Sequence, residues 1–176
     1  MYRAEMLQGY AWLEKEAAPK MLIKAIDLFG VCEIVGNENN PTILGWADEI
    51  GVGSLYDADS IPWCGLFIGV VAKRAGKELP TNPLWARDWA LWGEPCLPAL
   101  GCVIVFSRES GGHVGLYVGE DETCYHVLGG NQSDCVCVRR LDKHRLLAAR
   151  ESYKVRPVNV RTVMLDGRGE VSKNEG

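Results

Sequence analysis

The sequence predicts an α+β domain on two observations. Apolar residues recur at helical spacing through the first half of the chain, and the pattern changes after Leu97 to a period of two with β-branched enrichment. No internal repeat or low-complexity linker interrupts the 176 residues, so one domain is expected over 1–164, with 1–18 as an N-terminal extension and 165–176 as a flexible polar tail. The tail expectation rests on the polar, Gly-rich run DGRGEVSKNEG.

The elements follow in order. A short helical stretch near Tyr10 to Glu16 is closed by Pro19. Met21, Leu22, Ala25, Ile26 and Phe29 then define an amphipathic helix ending at Gly30, a natural left-handed terminus. After the turn signal GNENNP, Ile43, Leu44, Trp46, Ala47 and Ile50 predict a second helix stopped by Gly51. A third apolar helix runs from about Cys64 to Ala75 and ends at Gly76, with Asp59 or Ser60 available to cap it and Pro62 suited to its first turn. Trp85, Trp89 and Trp92 lie four and three apart, a spacing that lines one side of a helical turn, either as packing or as an aromatic wall for substrate. Strands are expected at 102–106, 113–118, 125–128 and 136–140, which makes the sheet antiparallel.

Composition narrows the function. Hydrophobic residues make up 47 % and charged residues 24 %, an ordinary globular balance. A net charge of −4 without a basic stripe argues against nucleic-acid binding, and Arg139-Arg140, the densest basic spot, is expected to be solvated. No apolar run approaches the roughly 20 residues that span a bilayer, and the N-terminus lacks the apolar core of a secretory leader. Synthesis in the cytoplasm without a signal peptide is therefore expected. The seven cysteines are odd in number and contain no C-x-x-C pair, so neither a metal site nor any other cofactor is expected. Cys32, Cys96, Cys102, Cys124, Cys135 and Cys137 read as small buried hydrophobes in a reduced protein.

Cys64 differs from these six because it opens a helix, where the backbone dipoles favour a thiolate. A thiol nucleophile needs a base, and imidazole titrates near neutrality. His113 opens a strand directly after Gly111-Gly112 and is the first choice. His126 in the next strand competes with it, and His144 lies in the charged segment DKHR. A third polar group should hold the imidazole tautomer. Asn131, in the turn GGNQSD, fits best, with Gln132 and Asp134 as weaker candidates. The Cys64 amide is a natural oxyanion donor, and Asp59, Trp63, Gln132, Trp85 and Trp89 are further candidates for substrate or oxyanion contacts.

Four segments in order, GVCEIVGNENNPTILGWA, DSIPWCGLF, GGHVGLYVGED and YHVLGGNQSD, resemble the phage-type cell-wall hydrolases related to CHAP and NlpC-type cysteine peptidases. The resemblance covers roughly Trp12 to Arg156 and implies a papain-like fold, with N-terminal helices packed on an antiparallel sheet. It also implies hydrolysis of a peptidoglycan amide, within the stem peptide or at its junction with muramic acid, and assigns Cys64, His113 and Asn131 as the catalytic three. One departure stands out: many CHAP relatives carry a carboxylate two residues before the asparagine, where this chain has Gly129. The resulting expectation is a phage or prophage lysin, a monomer acting on peptidoglycan in the periplasm after holin-dependent release. A secreted antibacterial effector with an immunity protein, and a non-catalytic wall-binding or virion module, are the alternatives.

Overall fold

The computed structural model describes residues 8–173 and 175. Three α-helices precede a sheet: α1 (Lys20–Asp27), α2 (Pro41–Ile50) and α3 (Cys64–Arg74). The stretch before α1 forms a 3-10 turn, Ala11–Lys15. Helix α2 starts where Asn40 accepts a hydrogen bond from the Thr42 amide and Pro41 takes the first helical position. It ends at Gly51, whose φ of 81° is the left-handed conformation that glycine tolerates best.

Seven strands build one sheet: β1 (Glu94–Pro95), β2 (Val103–Ser107), β3 (Gly112–Glu120), β4 (Cys124–Gly129), β5 (Cys137–Asp142), β6 (Leu146–Glu151) and β7 (Val171–Ser172). Their order is β1-β6-β2-β3-β4-β5-β7, and β7 runs parallel to β5 while the other pairs are antiparallel. The sheet is thus mixed rather than purely antiparallel. Residues 165–176, expected as a flexible tail, supply β7 and place Glu175 in a buried position.

Period-two alternation divides the apolar side chains between two faces. Val103, Val105, Val114, Leu116 and Val118 join the three helices in the larger core, with Trp46, Trp63 and Phe67 at its centre. Ile104, Phe106, Tyr117, Val127 and Leu141 pack on the opposite face. Among the described residues no helix is long and apolar enough to cross a membrane.

Two expectations about side chains are corrected. Cys32 and Cys135 form a disulfide that joins segments 103 residues apart, rather than packing as separate thiols. Arg140 is buried rather than solvated: its Nε donates to Asp121 Oδ2 at 2.8 Å, a charge pair that makes its burial tolerable.

Candidate active site

Helix α3 begins at Cys64 without a side-chain cap, because Trp63 occupies the capping position and its indole is engaged elsewhere, donating to Glu33 Oε1 at 2.6 Å. The uncapped start leaves backbone donors for the thiol. The backbone amides of Val114, the residue after His113, of Gly65 and of Cys64 itself favour the thiolate form of Cys64. Asp59 does not cap α3 as anticipated; its Oδ2 accepts from the amides of Ile34 and Asn40, at 3.2 and 2.8 Å, and organises the preceding loops.

His113 is fully buried, and its Nε2 lies 2.9 Å from Gln132 Oε1. The amide nitrogen of Gln132 donates to the carbonyls of Val127 and Cys137, at 3.1 and 2.6 Å, so its oxygen is the end left for the ring. That geometry makes Nε2 the protonated nitrogen and leaves Nδ1 as the acceptor. Nδ1 is buried with no hydrogen-bond partner among the described residues, an open lone pair of the kind a proton-abstracting base requires.

The polar side chain hydrogen-bonded to the ring is thus Gln132, the weaker of the two candidates, rather than Asn131. Asn131 adopts a left-handed φ of 54° and serves the turn, as do Ser133 and Asp134 with φ of 54° and 60°. Gly129 makes room for this contact. A Cβ added there would lie 2.9 Å from Gln132 Oε1 and 3.2 Å from His113 Nε2, so the missing side chain leaves the space that the glutamine amide fills.

The turn itself is seated on α3. A Cβ at Gly130 would come within 2.6 Å of Phe67 Cβ and 2.7 Å of Trp63 Cζ3. Gly130→Ala should consequently cost about 2–3 kcal/mol, typical of overpacking a filled core, and lower the melting temperature by roughly 5–10 °C in a thermal unfolding scan. An unchanged melting temperature would show that the turn does not bear on the helix.

The other wall comes from 83–87. A Cβ at Gly65 would lie 2.5 Å from the carbonyl oxygens of both Pro83 and Leu84, so this backbone abuts the helix start directly. The three tryptophans do not form one aromatic face. Trp89 and Trp92 are buried with ring centroids 5.5 Å apart, and their indoles donate to the carbonyls of Pro83 and Glu78. Trp85 alone is exposed, at 68 %, next to the segment that meets Gly65.

His126, the competing base, has both ring nitrogens occupied: Nε2 lies 2.8 Å from Asp121 Oδ2 and Nδ1 2.6 Å from the Tyr10 hydroxyl. It belongs to a buried polar network with Arg140. His144 sits in the 3-10 turn Lys143–Arg145. Among the described residues no three His, Cys, Asp or Glu side chains converge as metal ligands.

Burial pushes the Cys64 thiol up, and its amide contacts with the charge of Arg108 only partly offset this. Burial pushes the His113 imidazole down to about 4, against Glu175 and Gln132, which favour its protonated form. The resting pair at neutral pH is thus a neutral thiol and a neutral imidazole.

Three residues of this neighbourhood carry no sequence signal. Arg108 acts electrostatically on both Cys64 and His113, Arg145 acts on His113, and Glu175 couples to His113. Each lies outside the motifs, and Glu175 stands 62 positions after the histidine.

The fold is that of an α+β protein with a mixed seven-stranded sheet, in which Cys64 opens α3 and His113, held by Gln132, lies on β3. Comparison with protein-family models, with curated proteins and with solved structures gives no match for the chain.

Proposed function

We propose that the chain is a cysteine hydrolase of peptidoglycan amides with a papain-like arrangement of Cys64, His113 and Gln132. The observation that carries the reading is the buried His113 ring, held at Nε2 by Gln132 and open at Nδ1, one residue before Val114, which shares a core with Cys64. The substrate class rests on the ordered resemblance of the Cys64, His113 and GGNQ segments to cell-wall hydrolases.

In the reaction, His113 Nδ1 takes the thiol proton as Sγ attacks the amide carbonyl carbon. The resulting oxyanion is stabilised by first-turn amides of α3, the Cys64 N–H foremost. The imidazolium returns the proton to the departing nitrogen, the C–N bond breaks, and a thioester remains on Cys64. Water, deprotonated by the same nitrogen, attacks the thioester, and the thiol recovers its proton as the new carboxylic acid leaves. Gln132 keeps Nε2 protonated throughout and stabilises the transient positive charge.

Digestion of purified sacculi, followed by mass spectrometry of the released muropeptides, tests this and names the bond through the new termini. New amine ends should accumulate with the natural chain and not with Cys64→Ala. Release of the same termini by the alanine variant would refute the assignment.

A further inference from the structure

An open cleft of about 990 Å3 lies at the β7 edge of the sheet, where β5 and β7 pair in parallel with Arg140 opposite Val171. Neither Cys64 nor His113 lines it. Its walls carry four cations, Arg139, Arg140, Arg168 and Lys173, against one carboxylate, Glu170. The whole chain has a net charge of −4, so this concentration of positive charge runs against its composition.

Arg140 is the buried member, only 9 % exposed. Its Nε donates to Asp121 Oδ2 at 2.8 Å and its Nη1 to the Gly169 carbonyl at 2.6 Å, which leaves Nη2 without a hydrogen-bond partner among the described residues. Asp121 is itself fixed. Its Oδ1 accepts from the amides of Thr123 and Cys124, both at 3.0 Å, and its Oδ2 also accepts from His126 Nε2 at 2.8 Å. With Nε2 donating, His126 Nδ1 accepts from the Tyr10 hydroxyl at 2.6 Å, and Tyr10 is a further wall of the cleft. A chain of four hydrogen-bonded side chains, three of them buried, thus holds two lining residues in place before any ligand arrives.

The other cations have no comparable partners. Arg139 reaches only the Ser133 hydroxyl and the Val138 carbonyl, at 3.4 and 3.5 Å, distances at the limit of hydrogen bonding. Lys173 pairs with no carboxylate among the described residues. Arg168 lies 3.8 Å from Asp166 with both side chains exposed, a pair that solvent screens. Setting Asp121 against Arg140, and Glu170 against a second cation, leaves a surplus of two positive charges. A dianion balances that surplus and a single carboxylate does not, and guanidinium and ammonium groups both suit phosphate oxygens.

We propose that this cleft binds the phosphate monoester group of a soluble small molecule, with Arg139, Lys173 and Nη2 of Arg140 as its donors. Tyr10 serves as a wall rather than a donor, because its hydroxyl hydrogen is committed to His126. The site is independent of the reading of Cys64 and His113 and stands whether or not the chain is a hydrolase.

Isothermal titration calorimetry at low, constant ionic strength and about pH 7.5, where a phosphate monoester carries close to two charges, tests this. Glycerol 3-phosphate, a monoester, should bind at least about tenfold more tightly than dimethyl phosphate, a diester with one charge, the scale of one additional charge-assisted contact. Arg139→Gln and Lys173→Gln should each weaken glycerol 3-phosphate about fivefold or more, and the double variant should lose it. In a 1H–15N spectrum the ligand should shift the Arg140 Nε–H signal and the amides of 169–173, and leave those of Cys64 and His113 in place. Equal affinity for the two phosphates, or no binding of either, would overturn the dianion site. Undiminished affinity in a folded double variant would overturn its location. Co-sedimentation with phosphatidic acid vesicles, without binding of glycerol 3-phosphate, would overturn the soluble ligand in favour of a lipid surface.

Discussion

On the proposed mechanism, Cys64→Ala and His113→Ala should each reduce amide hydrolysis by at least about a thousandfold, because the nucleophile and base it invokes act as one unit and neither retains useful chemistry alone. The imidazole is neutral at pH 7, with burial holding it near 4, so in that mechanism it accepts the thiol proton during attack rather than maintaining an ion pair beforehand. Loss of either partner removes that transfer. Gln132→Ala should cost less, about 10- to 100-fold in kcat/KM, since the imidazole remains but its tautomer is no longer fixed. Asn131→Gly should change the rate by no more than a few-fold, because glycine accepts the left-handed φ of 54° that Asn131 holds. Steady-state rates on a soluble muropeptide would separate these variants. A severe loss in Asn131→Gly with near-normal turnover in Gln132→Ala would return the orienting role to Asn131.

The distinction between these two neighbours shows what was legible in the sequence. The thiol at the start of α3 could be read because helix punctuation is local: apolar spacing, a preceding proline and a closing glycine all fall within a few residues. His113 could be read for the same reason, and four strands were placed by alternation. The choice between Asn131 and Gln132 depended on the dihedrals of a turn with three left-handed non-glycine residues, and spacing does not encode which of two adjacent amides faces the ring. Its one visible hint was Gly129, whose missing side chain makes room for the Gln132 amide.

Other features were hidden because their partners are distant. Strand β6 shows no clean alternation in burial, since it pairs with β1 near the sheet edge and follows the turn that places Arg145. The Cys32–Cys135 disulfide and the pairing of Glu175 with Arg145 each join residues 30 or more positions apart. The polar composition of 165–176 suggested fraying, but Glu175 gains two charge-assisted bonds and β7 a strand partner, contacts that composition does not register. Charged residues are poor guides to exposure when their counter-ions come from elsewhere in the chain.

Acidification from pH 6.5 to 4 should remove about 3 kcal/mol of folding stability through His113 alone. The ring titrates at 6.5 in its ordinary state and at about 4 in the fold, so over that interval the unfolded chain binds a proton that the folded chain refuses. Stability is fully present above 6.5, declines as the pH falls through the interval, and has been lost by the time the folded ring itself protonates. His126 adds to the decline, because burial also lowers its affinity for a proton against the pull of Asp121. Glu33 opposes it, since burial raises its carboxyl and protonation of that group favours the fold. Glu175 and Asp121, held below the ordinary carboxylate range by their arginine partners against the effect of burial, contribute losses that set in at lower pH. Denaturant unfolding at pH 7, 6, 5 and 4 on the natural chain and on His113→Gln isolates the histidine, because the other groups remain in both. The natural chain should lose stability more steeply between 6.5 and 4. Parallel curves would mean that water reaches the ring, and a ring open to water would take protons readily and undo the neutral thiol–imidazole pair on which the proposed chemistry depends.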